Sequence, residues 1–291
     1  MSYNYEMEIK KLPRDAWPPL LSEINDPPKE LYVEGKIDFP DRTWLTVVGS
    51  RRASTYGTEV VQTLIAALAG QPVVIVSGLA IGIDTITHKA ALKNDLPTLA
   101  VPGSGLDREV LHPSSNSKLA DEIVAHGGAL LSELEPKCPA GIHTFPKRNR
   151  LMAGMSKAIL IIEAGKNSGT LITARLATDY NRDVLAVPGS IFHPGAYGTN
   201  TLIRDGATPI TSGDDLLLAL GFKLNSEKPA QERTDLTDQE KIIVDLLAVE
   251  PLIRDDLIRA TGLPTSDANT LLAVMEIKGL IREVLGEVRL V

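Results

Sequence analysis

A repeated unit, in which a short apolar run ends in a glycine-bearing turn and a helical pattern usually follows, constrains this chain more than any other feature. Trp44–Val48 runs into Gly49-Ser50-Arg51-Arg52 and then a helical pattern over about Gly57–Ala69. Val73–Val76 runs into Ser77-Gly78 and a helix over Thr85–Leu92, with Asp84 placed to cap it. Leu99–Val101 enters Pro102-Gly103-Ser104-Gly105 and precedes a helix over about Ser117–His126, and Leu130-Leu131 leads to Ser132-Glu133. Ala158–Ile162 opens into Gly165-Lys166-Asn167-Ser168-Gly169-Thr170 and a helix over Leu171–Tyr180, after which Val184–Val187 enters Pro188-Gly189-Ser190. Short apolar strands alternating with helices argue for an α/β fold, a mostly parallel sheet covered on both faces. In such sheets ligands gather at the carboxyl ends of the strands, where these turns lie. Turns of Gly, Ser and Thr offer backbone N–H groups and hydroxyls to anions, so a phosphate-binding groove is expected there. The full GxGxxG is absent, and LAVPGS at 99–104 and 185–190 is an echo of strand plus turn rather than a solenoid repeat.

Charge points the same way. Residues 137–182 carry eight Lys or Arg against two acids, a local net of +6 in a chain whose total is −7, so the remainder sums to −13. A basic island in an acidic protein is a candidate footprint for a phosphate-bearing partner. Its centre, Phe145-Pro146-Lys147-Arg148-Asn149-Arg150, joins an aromatic ring to three cations and an amide. That mixture suits a single-stranded polynucleotide, whose bases stack on aromatics while cations follow its backbone. The lone cysteine, Cys138, excludes an internal disulfide framework and suits a reducing compartment. No secretory signal and no apolar run of membrane-spanning length is visible, so a cytoplasmic protein without membrane contact is expected.

Residues 1–40 are punctuated by proline, with a strand-like piece near Leu31-Tyr32-Val33, and read as a lead-in that packs on the main domain over 41–222. Residues 223–236 turn polar and read as a linker. Residues 237–291 predict helices over about Asp238–Ala248, Arg254–Thr261 and Ser266–Lys278, followed by a hairpin across Gly286, which is the winged-helix pattern. The third helix holds one cation, Lys278, beside Asp267 and Glu276, and the segment carries six cations against ten acids. Strong DNA binding draws on counterion release by cations, so a protein-contact or regulatory role is the expectation for this unit.

Catalytic and metal motifs are absent. Gly165-Lys166 is followed by Asn167, which breaks a P-loop, and Cys138 with His143 falls short of a zinc set. Asp84 and His88 share a helix face but face no nucleophile motif, and Glu133 and Glu163 each follow a strand at a separation the sequence leaves open. A non-catalytic protein without cofactor or metal is expected.

Taken together, these residues resemble the DNA-processing protein A (DprA, or Smf) family. The matching pieces run in order from Val48-Gly49-Ser50-Arg51 through Ser77–Asp84, Gly105–Asp107, Phe145–Arg150 and Ser168–Ala174 to Gly198–Ile203, covering about 44–212. The resemblance implies an extended Rossmann-like, doubly wound domain that binds single-stranded DNA, with a winged-helix domain after it. It further implies a role in natural transformation: protecting incoming single strands and handing them to the recombinase RecA, aided by homodimerisation. Carried over by position, Gly49, Ser50 and Arg51 match the first phosphate-binding turn, with Arg52 adjacent. Phe145 matches a base-stacking aromatic beside Pro146, Lys147, Arg148 and Asn149, and Ser168, Gly169 and Thr170 match the second glycine turn. Gly78 and Lys166 complete the expected DNA-contacting set. His112 stands where the family commonly has tyrosine, and the helical domain that precedes the first strand in many members is expected to be truncated here. The alternative is a Rossmann-type enzyme resembling nucleoside-monophosphate phosphoribohydrolases. Its PGGxGTxxE mark is matched only by Pro188-Gly189-Ser190 and, separately, Ser168-Gly169-Thr170.

Overall fold

The computed structural model describes residues 8–224, 236–284 and 286–290. It divides into two compact units, Met1–Leu224 and Asn225–Val291. Most of the polar stretch read as a linker, 225–235, lies outside the described residues.

The first unit is built on a nine-stranded sheet. In chain order its elements are β1 (Lys10–Lys11), β2 (Tyr32–Gly35), β3 (Thr43–Val48), α1 (Thr55–Ala67), β4 (Val73–Ser77), α2 (Ile83–Lys93), β5 (Thr98–Ala100), α3 (Ser117–Ala125) and β6 (Ala129–Ser132). There follow α4 (Thr144–Met155), β7 (Ala158–Ile161), α5 (Thr170–Asp179), β8 (Asp183–Ala186), α6 (Tyr197–Arg204), β9 (Thr208–Pro209) and α7 (Gly213–Ala219). The strand order is β1-β2-β6-β5-β4-β3-β7-β8-β9. All neighbours from β6 to β9 pair parallel, and β1 and β2 add antiparallel at the β6 edge. The chain thus begins its parallel sheet at β3, winds outward through β6, and returns to β7 on the other side of β3. That reversal is a topological switch point, the place where such sheets open a crevice at their carboxyl edge.

Alternation along the strands explains why both faces are covered. Val48, Val74, Val76, Leu99, Ile159 and Ile161 point into one core with α4, α5 and the N-terminal segment. Leu45, Val47, Val73, Ile75, Leu160 and Leu185 point into the other with α1, α2 and α7. This is the doubly wound arrangement the sequence predicts.

Two local readings change. The N-terminal segment not only packs on the domain but also extends its sheet through β2, whose Val33 pairs with Leu131. Leu21 and Ile24 from the same segment are buried in the first core, close enough to α4 that a Cβ on Gly154 would lie 2.8 Å from Ile24. Asp84 is not the cap of α2, which begins one residue earlier behind Gly82 at φ +82°. A Cβ on Gly82 would collide with the Ser50 carbonyl and the Arg51 backbone, so only glycine lets the β4 loop lie against the β3 loop. The Ile83 N–H donates to Ser50 O at 3.1 Å across that contact.

The second unit holds α8 (Asp238–Leu247), β10 (Leu252–Ile253), α9 (Arg254–Thr261), α10 (Thr265–Ile277), β11 (Ile281–Val284) and β12 (Glu287–Leu290). Its three strands pair antiparallel in the order β10-β12-β11, the sheet of a winged helix. Thr237 and Glu240 form a capping box at α8, and Glu240 also accepts from Lys278 Nζ at 2.7 Å, joining the first helix to the end of the third.

Leu21 tests whether the N-terminal segment is part of the cooperative core. Leu21→Ala should lower unfolding stability by about 2–5 kcal/mol in urea titration, the range for emptying a fully buried leucine site. A loss under about 1 kcal/mol would mean that the segment unfolds separately.

Candidate nucleic-acid interface

The crevice at the switch point is a groove of about 560 Å³. Its walls are the loop after β3 (Val48–Arg52), the loop after β7 with the start of α5, and the first half of α4. Gly49, Ser50, Arg51, Arg52, Phe145, Pro146, Arg148, Asn149, Ser168, Gly169 and Thr170 all line it. Gly78, Lys147 and Lys166, from the same expected set, do not.

The basic stretch 145–150 forms the first turns of α4 rather than a loop. Pro146 is tolerated there because first-turn N–H groups have no partner in the helix. Helical spacing puts Phe145 and Arg148 on one face. Phe145 lies where a Cβ on Gly103 would come within 2.5 Å of its ring, and its other neighbours are Arg51 and His112. The Arg51 guanidinium sits 5.1 Å from the ring centroid, within cation–π range, and His112 meets the ring edge-on at 5.7 Å. Nothing in the sequence marks His112 as a neighbour of this ring, since the pair is joined only by the fold.

Arg148 has a different place from the one expected. It is buried beneath the groove, and its guanidinium donates to the carbonyls of Gly78 and, at 2.6 Å, Val101. Asp84, equally buried, lies beside it, its carboxylate accepting the Ala80 N–H at 3.3 Å. Burial pushes the Arg148 guanidinium down from its ordinary value and the Asp84 carboxyl up, and each charge opposes the other's shift. Gly78 is buried at the same point, since a Cβ there would collide with Arg148 Nη1. Arg148 forms part of the floor of the groove, and Gly78 lies beneath it with its carbonyl turned to the guanidinium.

The second glycine turn is also more self-contained than its composition suggests. Ser168 Oγ accepts the Thr170 N–H at 3.2 Å, and Leu171 and Ile172 donate to the carbonyls of Ser168 and Gly169 at 3.1 Å each. Thr170 Oγ1 donates to Gly49 O at 3.2 Å, tying the two turns together across the crevice. The first turn is shaped by Ser50 Oγ, which accepts the Arg52 N–H at 3.0 Å. These hydroxyls hold the loops in shape.

Side-chain charge is available to an anion as well. Arg51, Arg52, Lys147 and Lys166 are exposed and form no ion pair among the described residues. Lys166 lies outside the groove, 5.8 Å from the ring of Tyr197. By contrast Arg150 is held by Glu133 and Asp26, Arg182 by Glu23, and Lys157 by the Leu220 carbonyl. Asn167, Ile172, Met152 and Ala80 also line the groove, and no sequence motif singled them out as ligand contacts. Among the described residues no His, Cys, Asp or Glu cluster could hold a metal, and no helix is long and apolar enough to cross a membrane.

A model of the family described as DNA recombination-mediator protein A matches residues 10–221, and that of the DprA winged helix domain matches 227–287. The chain belongs to this family. Among its relatives, protein Smf of Escherichia coli K12 is 37% identical over 286 residues, covering 94% of this chain and 75% of that protein. DNA processing protein DprA of Streptococcus pneumoniae is 42% identical over 221 residues, covering 74% and 77%. The X-ray structure of the S. pneumoniae protein superposes with a TM-score of 0.68 at 40% identity, over 74% of this chain and 75% of that one. A structure of DNA processing protein A from Helicobacter pylori, described for its single-stranded DNA binding mode, superposes with a TM-score of 0.66 at 30% identity, over 74% and 96%.

Under the groove of this DprA-family chain, His88 supplies a pH handle. It is fully buried on α2, with Nδ1 2.7 Å from Thr98 Oγ1, and burial lowers its pKa to about 3. The folded protein keeps it neutral while the unfolded chain protonates near its ordinary value of 6.5. A depressed folded pKa means stability present above pH 6.5 and lost as pH falls, by about 1.4 kcal/mol per unit. Between pH 6.5 and 4.5 the wild type should lose about 2–3 kcal/mol more than His88→Gln in urea melts. Parallel pH profiles would show that His88 carries none of the acid sensitivity.

Proposed function

We propose that the switch-point groove binds single-stranded DNA and that this chain acts as a non-catalytic recombination mediator, passing the strand to a RecA-type recombinase during natural transformation. One observation carries the reading: Arg51 over the half-buried Phe145 ring, with the exposed cations Arg52 and Lys147 next to them along the chain. An aromatic with a guanidinium plane gives a base two surfaces to stack on, and the flanking cations give the backbone its counter-charge. A base that reaches the ring itself must move Arg51 aside, so the pair is a single stacking element. Gly49, Ser50, Ser168, Gly169 and Thr170 contribute by holding the loops, and Pro146 and Asn149 by lining the wall.

The relatives support this reading, since the H. pylori protein of the same fold and 30% identity is described for single-stranded DNA binding. A catalytic reading draws no support from the groove, where the one buried carboxylate, Asp84, is committed to Arg148 and the Ala80 N–H. The winged helix supports a protein-contact role, because its third helix offers a duplex a single cation, Lys278, whose ammonium already bonds Glu240. Homodimerisation and hand-over to RecA rest on family membership, and a cytoplasmic location is part of the same proposal.

Labelled oligo-dT and a matched duplex, titrated at two salt concentrations, test it. Wild type should prefer the single strand and weaken with salt. Phe145→Ala should cost about 1–3 kcal/mol of binding. Arg51→Ala should weaken binding and flatten the salt slope by about 0.7. Equal affinity for duplex and single strand, or an unaffected Phe145→Ala, would sink the stacking assignment. Hand-over is read separately, as faster RecA filament formation on strands coated with single-strand-binding protein.

A further inference from the structure

Beyond the groove, the carboxyl edge of the sheet carries a cavity and a shallower hollow, and charge separates them. The cavity, of about 500 Å³, is slightly smaller than the groove and lies on the other side of the same two loops. It is lined by Ser54–Tyr56, Ile162, Glu163 and the segment after β8. Among the described residues its lining holds no Lys or Arg, and its one carboxylate, Glu163, is held by the Ser54 N–H and hydroxyl. It offers a polyanion no counter-charge. The hollow, of about 270 Å³, is lined by Ile191 and by Tyr197, Asn200, Thr201 and Arg204 of α6.

The start of α6 is fastened to the loop that walls the groove. The Ala164 N–H donates to Gly195 O at 2.8 Å, and the Gly198 N–H donates to Ala164 O at 2.7 Å. A Cβ on Gly198 would lie 2.7 Å from that same carbonyl, so a glycine is what lets the first turn of α6 come this close. Gly165 and Asn167 line the groove, while Lys166 between them reaches out of it, its ammonium 5.8 Å from the Tyr197 ring centroid. One short turn therefore separates two cation–aromatic pairs, Arg51 with Phe145 inside the groove and Lys166 with Tyr197 outside it.

We propose that Tyr197 and Lys166 form a second stacking element, over which a single strand of DNA passes when it leaves the groove across the 165–167 turn. The half-exposed Tyr197 ring and Ile191, 84% exposed, give a base apolar surface that the core does not claim. Lys166, exposed and without an ion pair among the described residues, stands at the ring. Arg204 lies in the lining, and its ion pair is with the next residue, Asp205, at 3.0 Å, an exposed contact that leaves its charge open to a phosphate. The Asn200 amide is spent on Gly189, donating to its carbonyl at 2.9 Å and accepting its N–H at 3.2 Å, so it reads no base edge and stacking here tolerates any sequence. A second copy of the chain fits less well, because a two-fold contact would set Lys166 and Arg204 against the same two cations. The proposal rests on the groove binding the strand, and it gives Lys166, which the groove does not use, a place on the path.

Oligo-dT lengthened one nucleotide at a time, titrated against the full chain at two salt concentrations, tests it. Wild-type affinity should rise in two steps, the first as the groove fills and the second as a base reaches Tyr197. Tyr197→Ala should bind the shortest oligomers as wild type does, which also shows that it folds, and the longer ones about fivefold or more weakly, the effect of one lost stacked base. Tyr197→Phe keeps the ring and should match wild type throughout. Lys166→Ala should flatten the salt slope by about 0.7 on the longer oligomers alone. Irradiated strands carrying one iododeoxyuridine at stepped positions should crosslink to Tyr197 from a different position than to Phe145. Tyr197→Ala equal to wild type at every length, or crosslinks to Phe145 with none to Tyr197, would overturn the proposal and leave the groove reading standing. Weakened self-association of Tyr197→Ala in sedimentation, with its DNA affinities unchanged, would assign the hollow to a second copy instead. Binding lost at every length in Tyr197→Ala and untouched in Phe145→Ala would overturn the groove reading and the continuous path with it.

Discussion

The groove depends on one buried cation. Taking a guanidinium out of water costs several kcal/mol unless its donors are met and its charge is balanced. Arg148 meets this condition with the carbonyls of Gly78 and Val101, at the ends of β4 and β5, and with Asp84 beside it. The contact fixes the first turns of α4 against the carboxyl edge of the sheet. Three residues earlier on the same helix face, Phe145 is thereby set over Gly103 and against Arg51. Two of the glycines that look like phosphate-binding turns are explained by this packing. A Cβ at Gly78 would strike Arg148, and one at Gly103 would strike Phe145. Both glycines make room for α4, whereas the glycine turns after β3 and β7 face the groove itself.

Charge is divided by the same logic. The island over 137–182 carries a net of +6 as sequence, yet much of that charge is structural. Arg148 is floor, and Arg150 clasps the N-terminal segment through Asp26 while holding Glu133. Tyr180 donates to the same Asp26 at 2.6 Å, so the segment, α4 and α5 meet at one carboxylate. The cations left to attract an anion at the groove and its rim are Arg51, Arg52 and Lys147. In a chain with a net charge of −7, affinity for a polyanion has to be local and short-ranged, and so sensitive to salt.

The sheet was legible because buried parallel strands read as apolar runs and their turns carry glycine, signals that survive without tertiary knowledge. Trp44–Val48 and Ala158–Ile162 mark β3 and β7 to within a residue. The order of strands, and therefore the switch point, was not legible, because no local signal states which strand β7 returns to. The helix over 144–155 was hidden for a physical reason. Its first turns hold Pro146 and three cations, and the apolar stripe begins only at Leu151. Arg148 was read as a surface contact for the same reason, since a sequence shows charge and not the carbonyls that satisfy it. Asp84 failed in the opposite direction: its position at a helix start was right, but its partner comes from α4, far along the chain.

The two loops at the switch point each form a wall with two sides, and this constrains both cavities. Gly49–Arg52 faces the groove while Ser54–Tyr56, immediately after, faces the smaller cavity, and Glu163 and Gly165 divide in the same way across β7. The wall is stiffened from both directions. Ser54 bonds Glu163 on the cavity side, and Thr170 bonds the Gly49 carbonyl on the groove side. Gly82 presses on the backbone of Ser50 and Arg51 from below, with Ile83 donating to Ser50 O. A loop fastened at these points cannot swing as a lid. Any adjustment to a ligand in the groove falls to side chains, and Arg51, exposed and without an ion pair among the described residues, is the one at the Phe145 ring with freedom to make it.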